Sequence, residues 1–212
     1  MKKIVALTIS VHYSDKLPYI IHNLQHLDKW YFVIDRKDAA TVNFLQEQQQ
    51  QNPKIHLLFF DSFFSGFSSF NKSGAVRFGQ EFVHQRHPDE WILLLDSDIV
   101  LPKKFSSVME KVELDPALLY GCRRYDYRCA YHLKIGFGVP YTHLKSQHFV
   151  GYFQLYFRKD AWYHPKSENC SECDVVFLET YFPRKKRGLL PPKVKHLGYA
   201  SVNWNGRKEA LW

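Results

Sequence analysis

Short apolar runs and amphipathic stretches alternate along the first half of the chain. Residues 3–10 (KIVALTIS) are apolar apart from Lys3, Thr8 and Ser10, as suits a strand buried on both faces. Ser14 and Asp15 then offer capping side chains and Pro18 suits a first helical turn. Leu17, Ile20, Ile21, Leu24 and Leu27 recur at helical spacing, predicting a helix over 17–27. A second strand is predicted over Trp30–Ile34, closed by Asp35. Asp38 caps a predicted helix from Ala39 to Gln49 that runs into a glutamine tract. A third strand, Ile55–Phe60, is closed by Asp61. After a loop rich in Phe, Ser and Gly comes a helix over 71–85 with Ala75, Gly79, Phe82 and Val83 on one face, then a fourth strand, Trp91–Leu95.

Strands alternating with helices at this pitch imply βαβ units. The expected fold class is α/β, a Rossmann-like domain with a mostly parallel central sheet flanked by helices. Such sheets bind ligands beyond the carboxyl ends of their strands, near a reversal of strand order. Ile9 and Ser10, Asp35, Asp61 and the Asp96-Ser97-Asp98 cluster all fall at those ends, which makes them candidate ligand-binding positions. Beyond Pro102 the alternation fades. A helix over Lys103–Val112, a strand over Ala117–Gly121, a strand over Val150–Phe157, a helix over Asp174–Phe182 and a last strand over Val194–Leu197 are predicted. The stretch 123–148 between them is polar, aromatic and interrupted by Gly136 and Gly138. It reads as a functional lid without regular structure.

Composition narrows the picture only slightly. At 212 residues with 45% hydrophobic content, a full core can form. Aromatics reach 17%, which fits either stackable binding surfaces or an aromatic-rich core. The 29 Lys and Arg exceed the 21 Asp and Glu, giving +8, an excess that attracts phosphorylated ligands, nucleic acid or an anionic membrane surface without choosing among them. The opening run Ile4–Ile9 is too short for a signal peptide and lacks a small-residue cleavage site, and no segment approaches the ~20 apolar residues of a membrane span. A cytoplasmic location is expected, with a peripheral membrane position as the alternative. The four cysteines are too few for a disulfide scaffold. Cys170 and Cys173 form a C-x-x-C that Cys122 and Cys129 would complete as a structural Zn²⁺ site, against the favoured reading of unpaired, reduced thiols.

The sharpest local signal is Trp91-Ile-Leu-Leu-Leu-Asp96-Ser97-Asp98, a buried strand ending in two carboxylates one residue apart. In extended geometry these share a face at about 7 Å. Hard oxygen donors so placed suit Mg²⁺ or Mn²⁺ carrying a diphosphate, although a polar turn after a strand would look the same. Phe70-Asn71-Lys72 opens the helix just before that strand. This order resembles the F-N-R … D-x-D arrangement of the metal-dependent β-galactosyltransferases and related GT-A glycosyltransferases, in which both motifs face the nucleotide diphosphate. Lys72 replaces the family's Arg and would act as a point charge on phosphate; Arg77 is a second candidate cation, or a solvated helix charge.

The resemblance continues in order and spans roughly positions 3 to 207. Gly151-Tyr152-Phe153-Gln154 looks like the strand lining the donor-sugar pocket. Glu172-Cys173-Asp174-Val175-Val176-Phe177 resembles the acidic E-D-D-D-I-F motif that opens the acceptor-side helix. Cys173 replaces the residue usually assigned as base there, which leaves Asp174 and, after it, Glu172 as candidate bases. Val194-Lys195-His196 resembles a late V-x-H strand supplying a histidine ligand, so Asp98, Asp96 and His196 form the implied metal set, and an imidazole ligand tilts the ion toward Mn²⁺.

The resemblance implies a single GT-A domain over residues 1–212, with a nucleotide-binding half at 1–102 and an acceptor-binding half at 103–212. It also implies a UDP-sugar donor, a glycan or glycoconjugate acceptor, no nucleic-acid partner, and inverting transfer of a hexose. Two rivals remain. One is a sugar nucleotidyltransferase, which the glycine-free loop 10–15 disfavours. The other is a non-catalytic module binding glycan or nucleic acid.

Overall fold

A computed structural model of the chain describes residues 2–65, 69–141, 151–164, 170–198 and Arg207, excepting the side chains of Cys170 and Ser171. The first half folds as its alternation predicts. Strands β1 (Ile4–Ser10), β2 (Lys29–Ile34), β3 (Ile55–Phe59) and β4 (Trp91–Leu95) are mutually parallel in the spatial order β3-β2-β1-β4. Because β1 has β2 on one side and β4 on the other, strand order reverses at its carboxyl end, which is where α/β sheets open a crevice. Successive β1 residues feed opposite cores. Ile4 and Ala6 pack with Trp30, Leu93 and Phe153, while Val5 and Leu7 pack with Val83, Ile92 and Phe177.

Helix α1 (Leu17–Ile20) is a single turn, continued as a 3₁₀ helix over Ile21–His26, where sequence periodicity predicts one α-helix. The reason is a polar anchor. Asn23 is buried; its amide donates to the Ile99 carbonyl (2.8 Å) and its oxygen accepts from the Leu101 N–H (2.8 Å), and the tighter winding turns 17, 20 and 23 inward together. Ser14 and Asp15 do not cap α1; the Asp15 carboxylate is instead gripped by both terminal nitrogens of Arg207 at 2.8 Å. Helices α2 (Ala39–Gln51) and α3 (Lys72–Arg86) begin as sequence predicts, with the Asp38 and Asn71 side chains accepting from the Thr41 and Gly74 N–H groups.

The second half extends this into one mixed, nine-stranded sheet. It comprises β5 (Ile99–Val100), α4 (Phe105–Lys111), β6 (Leu119–Tyr127), α5 (Ala130–Ile135), β7 (Val139–Pro140), β8 (Phe153–Tyr156), α6 (Cys170–Tyr181) and β9 (Arg187–Leu197). The full order is β3-β2-β1-β4-β8-β6-β9-β5, with β7 against β6. Two expectations are corrected. Residues 123–127 are strand, paired in parallel with 193–197 of β9, and not part of an irregular lid. β9 is eleven residues long, because the register skips Pro191 and Pro192 between the pairs Cys122–Leu190 and Arg123–Lys193. A proline pair lacks N–H donors, so the ladder bulges around it and resumes. Gly136 (φ 73°) is the left-handed cap of α5, and Gly138 lies against the Tyr127 ring. The rest of the expected lid, 142–148, lies outside the described residues, as do Val150 and Trp204.

Cys122 sits in the core shared with Trp30 and Phe153, and Cys173 in the core on the opposite face of the sheet. Cys129 is half-buried and the Cys170 side chain lies outside the described ones. Among the described residues no helix is long and apolar enough to cross a membrane.

Candidate active site

The end of β4 is fastened to its neighbours on both sides. The Thr8 hydroxyl donates to the Leu95 carbonyl (2.7 Å) and accepts from the Trp30 indole (2.8 Å), the Asp96 N–H bonds the Tyr152 carbonyl (3.2 Å), and the Ser97 hydroxyl donates to the Ile9 carbonyl. Ser97 and Ile9 therefore lock the end of β1 to the D-x-D turn. With that turn rigid, the two aspartates diverge toward different partners.

Asp96 faces α3. Lys72, in the first turn of that helix, places Nζ 3.4 Å from Asp96 Oδ1 and 3.2 Å from Asp174 Oδ2 on α6. One ammonium thus joins the two acidic motifs. Asp174 is buried, and the Tyr163 hydroxyl lies 2.7 Å from its Oδ1 and 2.8 Å from Gln154 Oε1. The Tyr163 N–H in turn donates to Gln80 Oε1 of α3 (2.9 Å). On the other flank of Asp174 is Gly151, where any Cβ would collide with the carboxylate. Burial, only partly offset by Lys72, raises the Asp96 pKa to about 6. Burial and then the Asp174 charge hold the Tyr163 phenol well above its usual range, so it stays protonated as a donor. Leu7, Ile9, Lys72, Asp96, Gly151 and Tyr163 are among the residues lining a small cleft at this point.

Asp98 faces the other way, and β-pairing supplies its neighbours. His196 stands opposite both Ile99 on β5 and Asp126 on β6, and the Leu197 N–H bonds the Asp98 carbonyl (2.8 Å). His196 Nε2 lies 3.5 Å from Asp98 Oδ2, while its Nδ1 is 2.9 Å from Asp126 Oδ1. Against the penalty of burial, His196, Lys16 and Arg124 hold Asp98 well below the usual carboxylate range. Burial opposes charge on His196 too, but Asp98 and Asp126 raise its pKa. Asp98 Oδ1 is buried and has no hydrogen-bond partner. A buried carboxylate oxygen left open beside an imidazole suits a cation, so Asp98 and His196 fit a divalent ion. Asp96 turns instead to Lys72, and among the described residues three such donors do not form a ready-made cluster.

Other candidates are placed less centrally. Ser10 is buried with its hydroxyl unpartnered at the end of β1. Asp35 is buried and closes β2 by accepting from the Lys37 N–H (2.9 Å), while Asp61 is exposed and paired with Arg36 (3.4 Å). Arg77 is directed to Glu81 (3.1 Å) and stacks over Trp162 at 4.0 Å, away from the aspartate cluster. Glu172 is exposed in the first turn of α6. Sequence reading missed Lys16, Tyr163 and Asp126, and placed Gln154 only as part of the strand resembling the donor-sugar pocket. Lys16 lies in a polar loop and Asp126 in the stretch taken as irregular, and nothing local distinguishes Tyr163 from a core residue.

No protein-family model matches the chain, and no curated protein matches it in sequence. Solved structures do. A protein of Bacillus anthracis described as a glucose-1-phosphate thymidylyltransferase, solved with sucrose, superposes with a TM-score of 0.56 at 12% identity over 92% of this chain and 89% of its own. HddC of Yersinia pseudotuberculosis gives 0.52 at 10% identity, covering 92% and 93%. The 4-diphosphocytidyl-2C-methyl-D-erythritol synthase of Anaerococcus prevotii gives 0.50 at 8%, covering 99% and 93%. At these identities the likeness shows the fold alone: a mixed α/β domain whose largely parallel, Rossmann-like sheet is flanked by helices.

Proposed function

We propose that this chain is a glycosyltransferase that moves a hexose from a nucleoside-diphosphate sugar, UDP-sugar favoured, to a hydroxyl of a glycan or glycoconjugate with inversion. The observation carrying this reading is the Lys72 ammonium held between Asp96 and Asp174. It brings a cation suited to phosphate, the D-x-D turn and a buried, oriented carboxylate to one point beside the cleft, an arrangement that suits displacement at an anomeric carbon.

Each residue then has a role. A donor diphosphate entering the cleft competes with the carboxylates for Lys72 and draws its charge away. Asp174 Oδ2 thereby loses its ion-pair partner while Tyr163 still fixes Oδ1, and the freed oxygen takes the proton of the attacking acceptor hydroxyl. Glu172, turned to solvent, is the second choice as base. Asp98 and His196, with Asp96 beside them, would hold Mn²⁺ or Mg²⁺, which when bound supplies Lewis-acid stabilisation of the departing diphosphate. Ser10, Asp35 and Asp61 at the neighbouring strand ends are assigned to the nucleoside.

The test is Mn²⁺-dependent hydrolysis across a panel of UDP-, GDP- and dTDP-sugars. Release of free sugar from one donor supports transfer, and no turnover of any donor with UDP binding retained reduces the chain to a binding module. A second reading, formation of a nucleotide-sugar from a nucleoside triphosphate and a sugar phosphate, draws support from what the superposing structures are named for. The glycine-free loop 10–15 counts against it. Pyrophosphate released from UTP or dTTP with a sugar 1-phosphate would establish it in place of the first.

A further inference from the structure

Lys16 is a cation at this site that no sequence motif announces. It precedes α1, its backbone N–H bonds the Tyr13 carbonyl (2.9 Å), and its Nζ lies 3.6 Å from Asp98 Oδ2. Both side chains are almost fully covered, at 4% and 6% exposure. The structure also makes room for the amine. Gly198, directly after β9, adopts φ 141°, and a side chain there would come within 3.1 Å of Lys16 Nζ. Asp98 Oδ2 therefore faces two positive groups, Lys16 and His196, while Oδ1 has no partner.

A carboxylate this buried is costly without a counter-charge, and a lysine on a flexible four-carbon stem is a point charge that can supply one and withdraw. We propose that Lys16 is a built-in rival of the divalent ion for Asp98. It neutralises the carboxylate before the ion arrives and yields it when the ion binds, leaving an ammonium beside the donor's phosphates. This rests on the metal reading above. An ordinary structural ion pair would instead stay in place throughout.

Mn²⁺ binding to the intact chain, followed by calorimetry and by the electron-spin resonance of free Mn²⁺, separates the two without any activity assay. Lys16→Met should bind Mn²⁺ about tenfold more tightly or better, since a repelling unit charge a few ångströms from the ion is gone. Lys16→Arg, which keeps the charge, should bind no more tightly than the parent. Equal or weaker Mn²⁺ affinity in Lys16→Met overturns the role of Lys16. A second measurement needs no variant: acetylation of Lys16, read by mass spectrometry, should rise when Mn²⁺ is added to the parent, and unchanged labelling with Mn²⁺ bound also overturns it. If no form binds Mn²⁺ while the parent still binds UDP, the metal assignment itself falls and this inference with it.

Discussion

Acidification should weaken this protein through His84, a buried histidine of α3. Its Nδ1 lies 3.0 Å from the Lys159 carbonyl oxygen, which can only accept, so Nδ1 carries the proton. Nε2 then accepts from the Tyr156 hydroxyl (3.0 Å), whose oxygen accepts from Gln80 Nε2 (2.9 Å). A second proton on His84 would disrupt this chain. Burial, and then the Lys159 ammonium, lower its pKa from 6.5 to about 4. Since the folded value lies below the unfolded one, the unfolded chain takes up the proton first. Stability is whole above the unfolded value and is lost as pH falls toward the folded one. Going from about pH 7.5 to about pH 5, these two values give a loss of about 2 kcal/mol. Urea unfolding of the parent and of His84→Gln at both pH values isolates the contribution. Burial also lowers His26, His56 and His87, but those are common to both proteins and cancel in the difference. The parent should lose about 2 kcal/mol more than the variant. Parallel losses in the two would refute the argument. Because Gln80 also holds Tyr163, the same acidification should loosen the support of Asp174.

Asp98→Asn should abolish the Mn²⁺-dependent part of UDP binding measured by calorimetry. It should also lower the thermal midpoint, since Lys16 loses a buried partner; undiminished UDP affinity with Mn²⁺ would sink the metal assignment. Asp174→Asn should cut kcat by ~10² or more with donor affinity nearly kept, and Tyr163→Phe, which only orients that carboxylate, should cost about tenfold. A full loss in Glu172→Gln with none in Asp174→Asn would move the base to Glu172. Gly151→Ala should displace the Asp174 carboxylate and reduce kcat to a similar extent while Mn²⁺ binding persists; full activity would show that the Gly151–Asp174 contact carries no function.

Sequence by itself was enough for the parallel half of the sheet. Strands buried on both faces, such as Ile4–Ser10 and Trp91–Leu95, read as continuous apolar runs, and the helices between them carry local caps at Asp38 and Asn71. It also placed Asp96, Asp98, Lys72, Asp174 and His196 as candidates through the order of their motifs. It could not follow β6 past Gly121 or β9 before Val194. A proline pair hides the strand on one side, and on the other a run of Arg, Tyr and Asp is strand only because β9 pairs with it. It ranked Lys72 over Arg77 and Asp174 over Glu172 only through the motif resemblance, since each pair has the same charge on the same helix. What separates them is direction. Strand order brings α6 beside α3 and sets β9 against β5, so Lys72 meets an aspartate 102 residues away and His196 meets Asp98, while Arg77 is spent on Glu81 and Glu172 faces water. Lys16 and Tyr163 owe their roles to the same cause. Periodicity and caps are properties of neighbouring residues and can be read along the chain. A buried charge is defined by partners that only the closed sheet supplies.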